Sequence, residues 1–252
     1  MPTPKPASRE AICEQHGKFT QEQIGLFREI WSRCPACEKA REDAEQEARN
    51  LAEAEQARVA WEAKLDAAGI PERFRDRTLD SYRAETDAQK NALQWANDYA
   101  NGFDDALATG RSMLFLGRPG TGKTHLACGI CAYLLRKGST VYYSTVQRAM
   151  RRVKGTWARD ADETEAQAIA AMTKPDLLVL DEIGVQFGSD TERNLLFDIL
   201  NERYEKCMPT LLLSNYGKED VAKYLGERVM DRLREDGGRV VTFDWDSYRR
   251  KS

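Results

Sequence analysis

Residues 117–124 read Gly117-Arg118-Pro119-Gly120-Thr121-Gly122-Lys123-Thr124 and complete the pattern G-x-x-x-x-G-K-[ST]. An apolar run, 113–116, precedes them, and a helix-like segment, 125–136, follows. Between a strand and a helix, such glycines let backbone N–H groups surround phosphate, and the helix N-terminus favours the same negative charge. The alternative is a glycine-rich turn without a ligand, but this setting favours a nucleoside triphosphate site. We expect all eight residues to bind ATP, with Lys123 at the β- and γ-phosphates and the Thr124 hydroxyl on Mg²⁺.

A second apolar run ends in two carboxylates. Residues 176–182 read DLLVLDE, and their unbroken apolar character is typical of a strand buried on both faces of a parallel sheet. Asp181 and Glu182 then lie at the carboxyl edge of the sheet, where ligands bind. Asp181 is predicted to hold Mg²⁺ through water, and Glu182 to orient or deprotonate the attacking water. An ordinary acidic turn is the alternative, but two carboxylates after a phosphate loop indicate an ATPase.

Composition limits the classes of protein. The 252 residues include 38 basic and 41 acidic side chains, so no overall positive field attracts nucleic acid and any DNA contact must be local. The sequence contains no run of eighteen apolar residues, so we predict no membrane span. Residues 1–6 lack the apolar core of a signal peptide. The six cysteines of such a chain indicate thiols or a metal site rather than disulfides. We expect a cytoplasmic protein.

Three stretches differ in character. Residues 1–37 hold four possible metal ligands, and residues 38–68 are rich in Ala, Glu and Arg and predict a long polar helix that connects domains or binds a partner. Residues 69–252 alternate between strand and helix patterns, which predicts an α/β domain with a parallel sheet and helices on both faces. The predicted strands are 112–117, 140–145, 176–181, 209–214 and 239–244. The predicted helices are 86–101, 123–137, 146–154, 161–173, 190–207 and 218–235.

The amino-terminal stretch has the spacing of a zinc site. Cys13-x-x-His16 is followed by Cys34-Pro35-Ala36-Cys37, which provides four ligands for a tetrahedral Zn²⁺. We expect Cys34 and Cys37 to form a tight knuckle turn, and a closed site of four ligands to be structural. The alternative is two unrelated pairs in a helical arm. Cys128 and Cys131 have a similar spacing, but they follow the phosphate loop and are interpreted as core.

One basic segment could hold DNA. Residues 150–159 carry Arg151, Arg152 and Lys154 beside Trp157. Cations that follow the phosphate backbone, with an aromatic ring that stacks on a base, bind single strands with little sequence preference. The alternative is a surface helix with a half-buried tryptophan.

Several motifs together resemble one family. They occur in order as Gly69–Phe74, 181–185 (DEIGV), 211–215 (LLLSN), 225–233 (LGERVMDRL) and 241–249 (VTFDWDSYR). Of these, 211–214 predicts a buried strand followed by Asn215, whose amide could contact the γ-phosphate or the attacking water. Over residues 69–252 the chain resembles the DnaC family of bacterial and phage helicase loaders, which is related to the IstB transposition helpers.

The resemblance implies an AAA+ ATPase with little or no carboxyl-terminal lid, whose active sites are shared between subunits of a ring or spiral. Asn215 then resembles the sensor-1 residue. Arg232, with Arg228 as the second candidate, resembles the arginine finger, and Arg249 resembles the sensor-2 arginine. For the two arginines in 225–233, solvated surface charge is the alternative.

The same resemblance implies which residues contact DNA and what the protein does. Lys154 and Trp157 match the family's positions for single-stranded DNA, and Ser189 matches a further contact, whereas Thr191 stands where relatives can carry an aromatic residue. The implied function is to bind a hexameric, DnaB-like replicative helicase and place it on single-stranded DNA. The alternatives are an IstB-like helper that acts on duplex DNA and a transposase, and a nucleotide-gated adaptor that hydrolyses ATP very slowly.

Overall fold

The structure is a computed structural model that describes residues 7–24, 30–184 and 190–248. The chain forms two compact units, Met1–Trp61 and Glu62–Ser252. No helix among the described residues has both the length and the apolar character needed to cross a bilayer.

A β-hairpin and the start of a long helix form the amino-terminal unit. Strands β1 (Ser8–Cys13) and β2 (Gly17–Glu22) pair antiparallel, and Gln23 forms an isolated bridge with Trp31. Helix α1 (Pro35–Ala67) confirms the predicted long helix but begins three residues before the predicted start at residue 38. A proline at the first helical position needs no N–H partner, which explains the earlier start. The hairpin was not predicted, because its short strands carry polar side chains at most positions.

The carboxyl-terminal unit is built on five parallel strands, as predicted. They are β3 (Met113–Gly117), β4 (Val141–Thr145), β5 (Leu177–Asp181), β6 (Thr210–Ser214) and β7 (Arg239–Phe243). Their order across the sheet is β4-β5-β6-β3-β7. The helices are α2 (Asp87–Asn101), α3 (Phe103–Thr109), α4 (Lys123–Lys137), α5 (Val146–Gly155), α6 (Glu165–Thr173), α7 (Asp190–Glu205), α8 (Lys218–Leu225) and α9 (Glu227–Arg232).

The helix boundaries differ from the predictions at identifiable residues. The predicted helix 161–173 begins only at Glu165, because Thr164 forms a capping box with Gln167. The predicted helix 218–235 is two helices, since Gly226 adopts φ 79° and ψ 154°, which no helix accommodates. Helix α3 was not predicted, because its seven residues lack a clear amphipathic period.

The central strands are buried on both faces. Every residue of β5 and β6 is buried, which explains the unbroken apolar runs in their sequences. Cys128 and Cys131 are buried in α4, as the core interpretation requires. The exposed polar residues that follow these strands, Glu182 and Asn215, therefore lie at the carboxyl edge of the sheet.

A buried arginine holds the opposite edge of the sheet. The Arg203 side chain in α7 is fully buried and donates hydrogen bonds to the carbonyls of Met172 and Pro209 and to the Thr210 hydroxyl, at 3.0, 2.6 and 3.1 Å. It also donates to the carbonyls of Pro175 and Asp176. Burial lowers the pKa of this guanidinium to about 10. The side chain thereby joins the segments that enter β5 and β6.

We expect Arg203→Met to lower the free energy of unfolding by about 3–5 kcal/mol, because several buried carbonyls lose their donor at once. Urea unfolding followed by circular dichroism measures the change. The matched control is Arg193→Met, an exposed position on the same helix, which should change stability by less than about 0.5 kcal/mol. Equal stability of the two variants would contradict a structural role for Arg203.

Candidate functional site

The phosphate loop joins β3 to α4 and depends on its glycines. Gly117, Gly120 and Gly122 have φ of 145°, 81° and 95°, a region that side chains disfavour. A Cβ atom at Gly117 would lie 2.1 Å from the Phe243 carbonyl oxygen, and one at Gly122 would lie 2.6 Å from the Tyr82 ring. Phe243 and Tyr82 therefore lie too close to the loop for any residue other than glycine at these two positions.

Lys123 folds over the loop that precedes it. Its Nζ donates to the carbonyls of Gly117 and Arg118, at 2.6 and 2.9 Å, and the residue is buried. The Thr121 hydroxyl donates to the same Arg118 carbonyl at 2.8 Å. The structure therefore brings the predicted loop residues together as one compact turn at the start of α4.

Three donors from distant segments hold the outer carbonyls of the loop. The Tyr248 N–H donates to the Gly120 carbonyl at 3.0 Å, and the Trp245 indole N–H donates to the Thr121 carbonyl at 3.0 Å. The Tyr82 hydroxyl reaches the Thr121 carbonyl as well, at 3.3 Å. Sequence reasoning did not assign these contacts. The motif at 241–249 is the sequence signal for Trp245 and Tyr248, whereas no sequence motif pointed to Tyr82.

Thr124 and Asp181 meet at the carboxyl end of β5. The Thr124 hydroxyl donates to Asp181 Oδ2 at 2.9 Å, across 57 residues of sequence. Oδ2 also accepts the Tyr143 hydroxyl at 2.7 Å, and Oδ1 accepts the N–H of Glu182 at 2.7 Å. The pair predicted to hold Mg²⁺ is therefore in contact. Nothing in the sequence indicated that Tyr143 belongs to this site, because only the pairing of β4 with β5 brings its hydroxyl to Asp181.

Glu182 and Asn215 lie at the same edge. Glu182 is exposed and has φ 64°, an unusual conformation for a non-glycine residue. Asn215 is exposed and directly follows β6, the strand beside β5. The Ser214 hydroxyl donates to the Ile183 carbonyl at 2.7 Å, which ties the two strand ends together.

The two candidate arginine fingers differ in their surroundings. Arg232 donates to the side-chain oxygen of Asn201, and its guanidinium lies 4.2 Å from the centre of the Tyr204 ring. Arg228 is exposed on α9, and its guanidinium contacts no carboxylate of the described part of the chain within ion-pair distance. Arg249 lies outside the described residues.

The basic segment is tied to carboxylates. Lys154 Nζ lies 2.5 Å from a carboxylate oxygen of Glu192, and Arg152 forms two hydrogen bonds to Glu163, at 2.9 and 2.6 Å. Trp157 remains 53% exposed while its indole N–H donates to Glu165.

Of the other candidate DNA contacts, Arg151 and Thr191 are exposed, and Ser189 lies outside the described residues. Arg151 and Trp157 therefore present their side chains to solvent, and so does Thr191 at the position where relatives can carry an aromatic residue.

The four predicted zinc ligands converge in the amino-terminal unit. Cys13 ends β1, His16 lies in the hairpin turn, Cys34 directly precedes α1, and Cys37 lies in its first turn. The expected tight turn at Cys34–Cys37 is therefore wrong. A helix begins there instead, and the N-terminus of a helix stabilises thiolates.

The ligand atoms have the spacing of a tetrahedral site. All four lie within 4.8 Å of one another. The sulfurs of Cys13 and Cys37 are 3.4 Å apart, and His16 Nδ1 is 3.3–3.8 Å from the three sulfurs. Ideal Zn–S and Zn–N bonds imply edges of about 3.8 Å between sulfurs and about 3.6 Å between sulfur and nitrogen.

The surroundings of Cys13 favour its ligand form. The backbone N–H of Gln15 and the His16 ring lower the pKa of the Cys13 thiol to about 6, whereas the hydrogen bond to Cys13 and burial raise the pKa of Cys37 to about 11. The fit to Zn²⁺ therefore rests on the convergence of three sulfurs and one imidazole nitrogen, and a bound cation would favour the thiolate form of each cysteine.

Comparison with known proteins identifies the family of the carboxyl-terminal unit. Residues 52–252 match the model of the family described as IstB-like ATP binding protein. The replicative helicase loader DnaC of Escherichia coli K12 is 40% identical over 185 residues, which cover 73% of this chain and 74% of that protein. DnaC of Buchnera aphidicola subsp. Schizaphis graminum is 37% identical over 185 residues, with the same coverage of both chains.

A solved structure is similar as well. The crystal structure of the DnaC helicase loader superposes with a TM-score of 0.61 at 26% identity and covers 68% of this chain and 99% of that one. The family model leaves residues 1–51, and with them the four metal ligands, outside its range. Fold and sequence similarity agree, and the chain belongs to the IstB/DnaC family of AAA+ ATPases.

Proposed function

We propose that this protein is an ATP-dependent loader that binds a hexameric replicative helicase and delivers it onto single-stranded DNA. The observation that carries the proposal is the 40% identity to the E. coli loader over 74% of its length. The alternative is a transposition helper that acts on duplex DNA and a transposase, which the description of the matched family favours.

The chemistry follows from the arrangement at the sheet edge. The backbone N–H groups of the phosphate loop, which every loop residue except Pro119 carries, and the Lys123 ammonium bind the phosphates once the lysine leaves its loop carbonyls. The hydroxyl and carboxylate of Thr124 and Asp181 are hard oxygen ligands that fit Mg²⁺, which neutralises phosphate charge when bound. Glu182 orients the attacking water as general base, and Asn215 hydrogen-bonds the water or the γ-phosphate.

An arginine from a neighbouring subunit completes each site. A cation supplied in trans stabilises charge in the transition state and makes hydrolysis depend on assembly into a ring or spiral. Arg228 is exposed and could reach a neighbour directly, whereas Arg232 would first leave Asn201 and Tyr204. The sensor-2 role of Arg249 completes the proposal.

DNA binding is assigned to the basic segment. Arg151 and Trp157 are exposed, so an indole stacked on a base with an arginine on the phosphates needs little rearrangement. Arg152 and Lys154 would exchange their carboxylate partners for phosphates, and Ser189 would add a contact.

The amino-terminal unit is proposed to grip the helicase. Zinc held by the cluster Cys13, His16, Cys34 and Cys37 would fix the hairpin to the start of α1, which supplies stability that so small a unit lacks. Residues 1–37 act as the helicase-binding module, residues 38–68 as the arm, and residues 69–252 as the ATPase domain.

We expect Lys123→Ala to weaken ATP binding or abolish turnover, with ATPase activity reduced at least about a hundredfold, because the phosphates lose their nearest cation. Fluorescent-nucleotide binding and phosphate release measure the two effects. The control is Lys137→Ala, an exposed lysine at the other end of the same helix. Unchanged turnover in the Lys123 variant would contradict the site.

We expect Arg228→Ala to keep ATP affinity within about twofold but to reduce turnover by about a hundredfold or more. Glu182→Gln should also be inactive. A mixture of the two variants should regain activity, because one subunit then supplies Glu182 and its neighbour supplies Arg228.

Arg232→Ala is tested in the same mixture, and Lys223→Ala on α8 is the surface control. If ATPase activity recovers only in the mixture of Arg232→Ala with Glu182→Gln, and not in the mixture with Arg228→Ala, the finger is Arg232. No loss of turnover in either arginine variant would refute a finger on α9.

We expect about one zinc per chain in purified protein, and Cys34→Ser or Cys37→Ser to lose the metal and the complex with the helicase. Elemental analysis measures zinc, and light scattering with the host's hexameric helicase, in ATP and in ADP, measures the complex. Cys207→Ser, an exposed cysteine outside the cluster, is the control.

The two readouts separate the claims. Absence of zinc would refute the metal site. Zinc without any helicase complex, together with ATP-dependent assembly on duplex DNA, would favour the transposition helper.

A further inference from the structure

A tyrosine on the neighbouring strand contacts the proposed metal carboxylate. Tyr143 lies in β4 and is 3% exposed, and its hydroxyl donates to Asp181 Oδ2 at 2.7 Å. The acceptor is the same oxygen that the Thr124 hydroxyl contacts at 2.9 Å. A hydrogen bond this short to a buried carboxylate strongly restricts the rotation of that side chain.

The three donors around Asp181 divide its two oxygens. The N–H of Glu182 occupies Oδ1 at 2.7 Å, whereas the two hydroxyls occupy Oδ2. Thr124 is itself assigned to the cation, so its hydroxyl serves two partners. Tyr143 has no such second role, and its hydroxyl is therefore the side-chain donor that can hold Oδ2 whether or not a cation is bound.

The backbone of Tyr143 is fixed on both sides. It pairs with Val179 of β5 on one side, and on the other its N–H donates to the Ala68 carbonyl at 2.7 Å. The backbone at Gly69, just after α1, lies close to the backbone of Tyr143, since a Cβ atom at Gly69 would be 2.4 Å from the Tyr143 carbonyl oxygen. Although β4 is an edge strand, the position of the tyrosine ring is thus well determined.

The hydroxyl remains a donor at any relevant pH. A phenol carries its proton at neutral pH, so the Tyr143 hydroxyl donates this hydrogen bond.

We propose that Tyr143 is a positioning residue that holds the Asp181 carboxylate in the orientation in which it receives the divalent cation. The inference rests on the proposed role of Asp181. Tyr143 touches neither nucleotide nor water in this role and acts only through the carboxylate.

The test is metal affinity in Tyr143→Phe. Mn²⁺ binding, followed by electron paramagnetic resonance in the presence of a non-hydrolysable ATP analogue, should weaken roughly tenfold, the size expected for one hydrogen bond to a charged group. Affinity for the analogue without metal should stay within about twofold. The matched control is Tyr142→Phe, which removes from the same strand a hydroxyl that accepts from Arg152 at 3.0 Å, and which should bind Mn²⁺ like the wild type.

Asp181→Asn separates this inference from the site assignment. If Asp181→Asn loses Mn²⁺ affinity and Tyr143→Phe does not, the tyrosine inference is overturned and the site stands. If Asp181→Asn also binds Mn²⁺ normally, the proposed metal role itself fails.

A second measurement avoids reliance on the phenylalanine variant. With 3-fluorotyrosine incorporated in place of tyrosine, the ¹⁹F resonance assigned to position 143 should shift when Mg²⁺ is added to the analogue complex. The resonance of position 142 should not move. No shift at position 143 would overturn the proposal even if Tyr143→Phe failed to fold.

Discussion

The phosphate loop can present its N–H groups to a ligand only if its carbonyls face away and find donors elsewhere. This constraint explains much of the carboxyl-terminal unit. Trp245 and Tyr248 donate to the carbonyls of Thr121 and Gly120, while Lys123 donates to those of Gly117 and Arg118 until it turns to the phosphates. A loop of eight residues is therefore held by its own helix and by a segment more than a hundred residues away. An unpaired buried carbonyl would cost about 1–3 kcal/mol, so each of these donors contributes to the loop conformation.

The parallel sheet places the remaining chemical groups. All five strands point the same way, so their carboxyl ends share one edge. Thr124 follows β3, Asp181 ends β5, and Asn215 follows β6, which brings together a hydroxyl, a carboxylate and an amide from three parts of the sequence. At the opposite edge, Arg203 satisfies the carbonyls of the segments that enter the strands. One edge is thus closed by a buried cation, and the other is left polar for a ligand.

The amino-terminal unit buries too little apolar surface to be stabilised in the same way as the carboxyl-terminal unit. Most of its described side chains are exposed, and Cys34 is its one buried hydrophobic residue among those described. So little apolar burial cannot offset the conformational entropy of ordering the hairpin. Four candidate ligand atoms lie within 4.8 Å of one another, and in the proposed zinc site metal coordination would contribute the missing folding energy directly.

Local patterns in the sequence determined the elements of the ATPase domain and their chemistry. The glycines of residues 117–124, the buried runs before Asp181 and Asn215, and the alternation of strands and helices follow from short-range physics: backbone conformation, burial and periodicity. The four candidate zinc ligands were identified from their spacing in the sequence. Local pattern could not show that Gly226 divides a helix, that a helix begins at Pro35, or that polar segments form a hairpin. Only the tertiary structure showed that Tyr143 contacts Asp181, that Trp245 contacts the phosphate loop, and that Arg203 binds the segments that enter β5 and β6. Those contacts depend on strand order and on how distant segments pack, which no local pattern encodes.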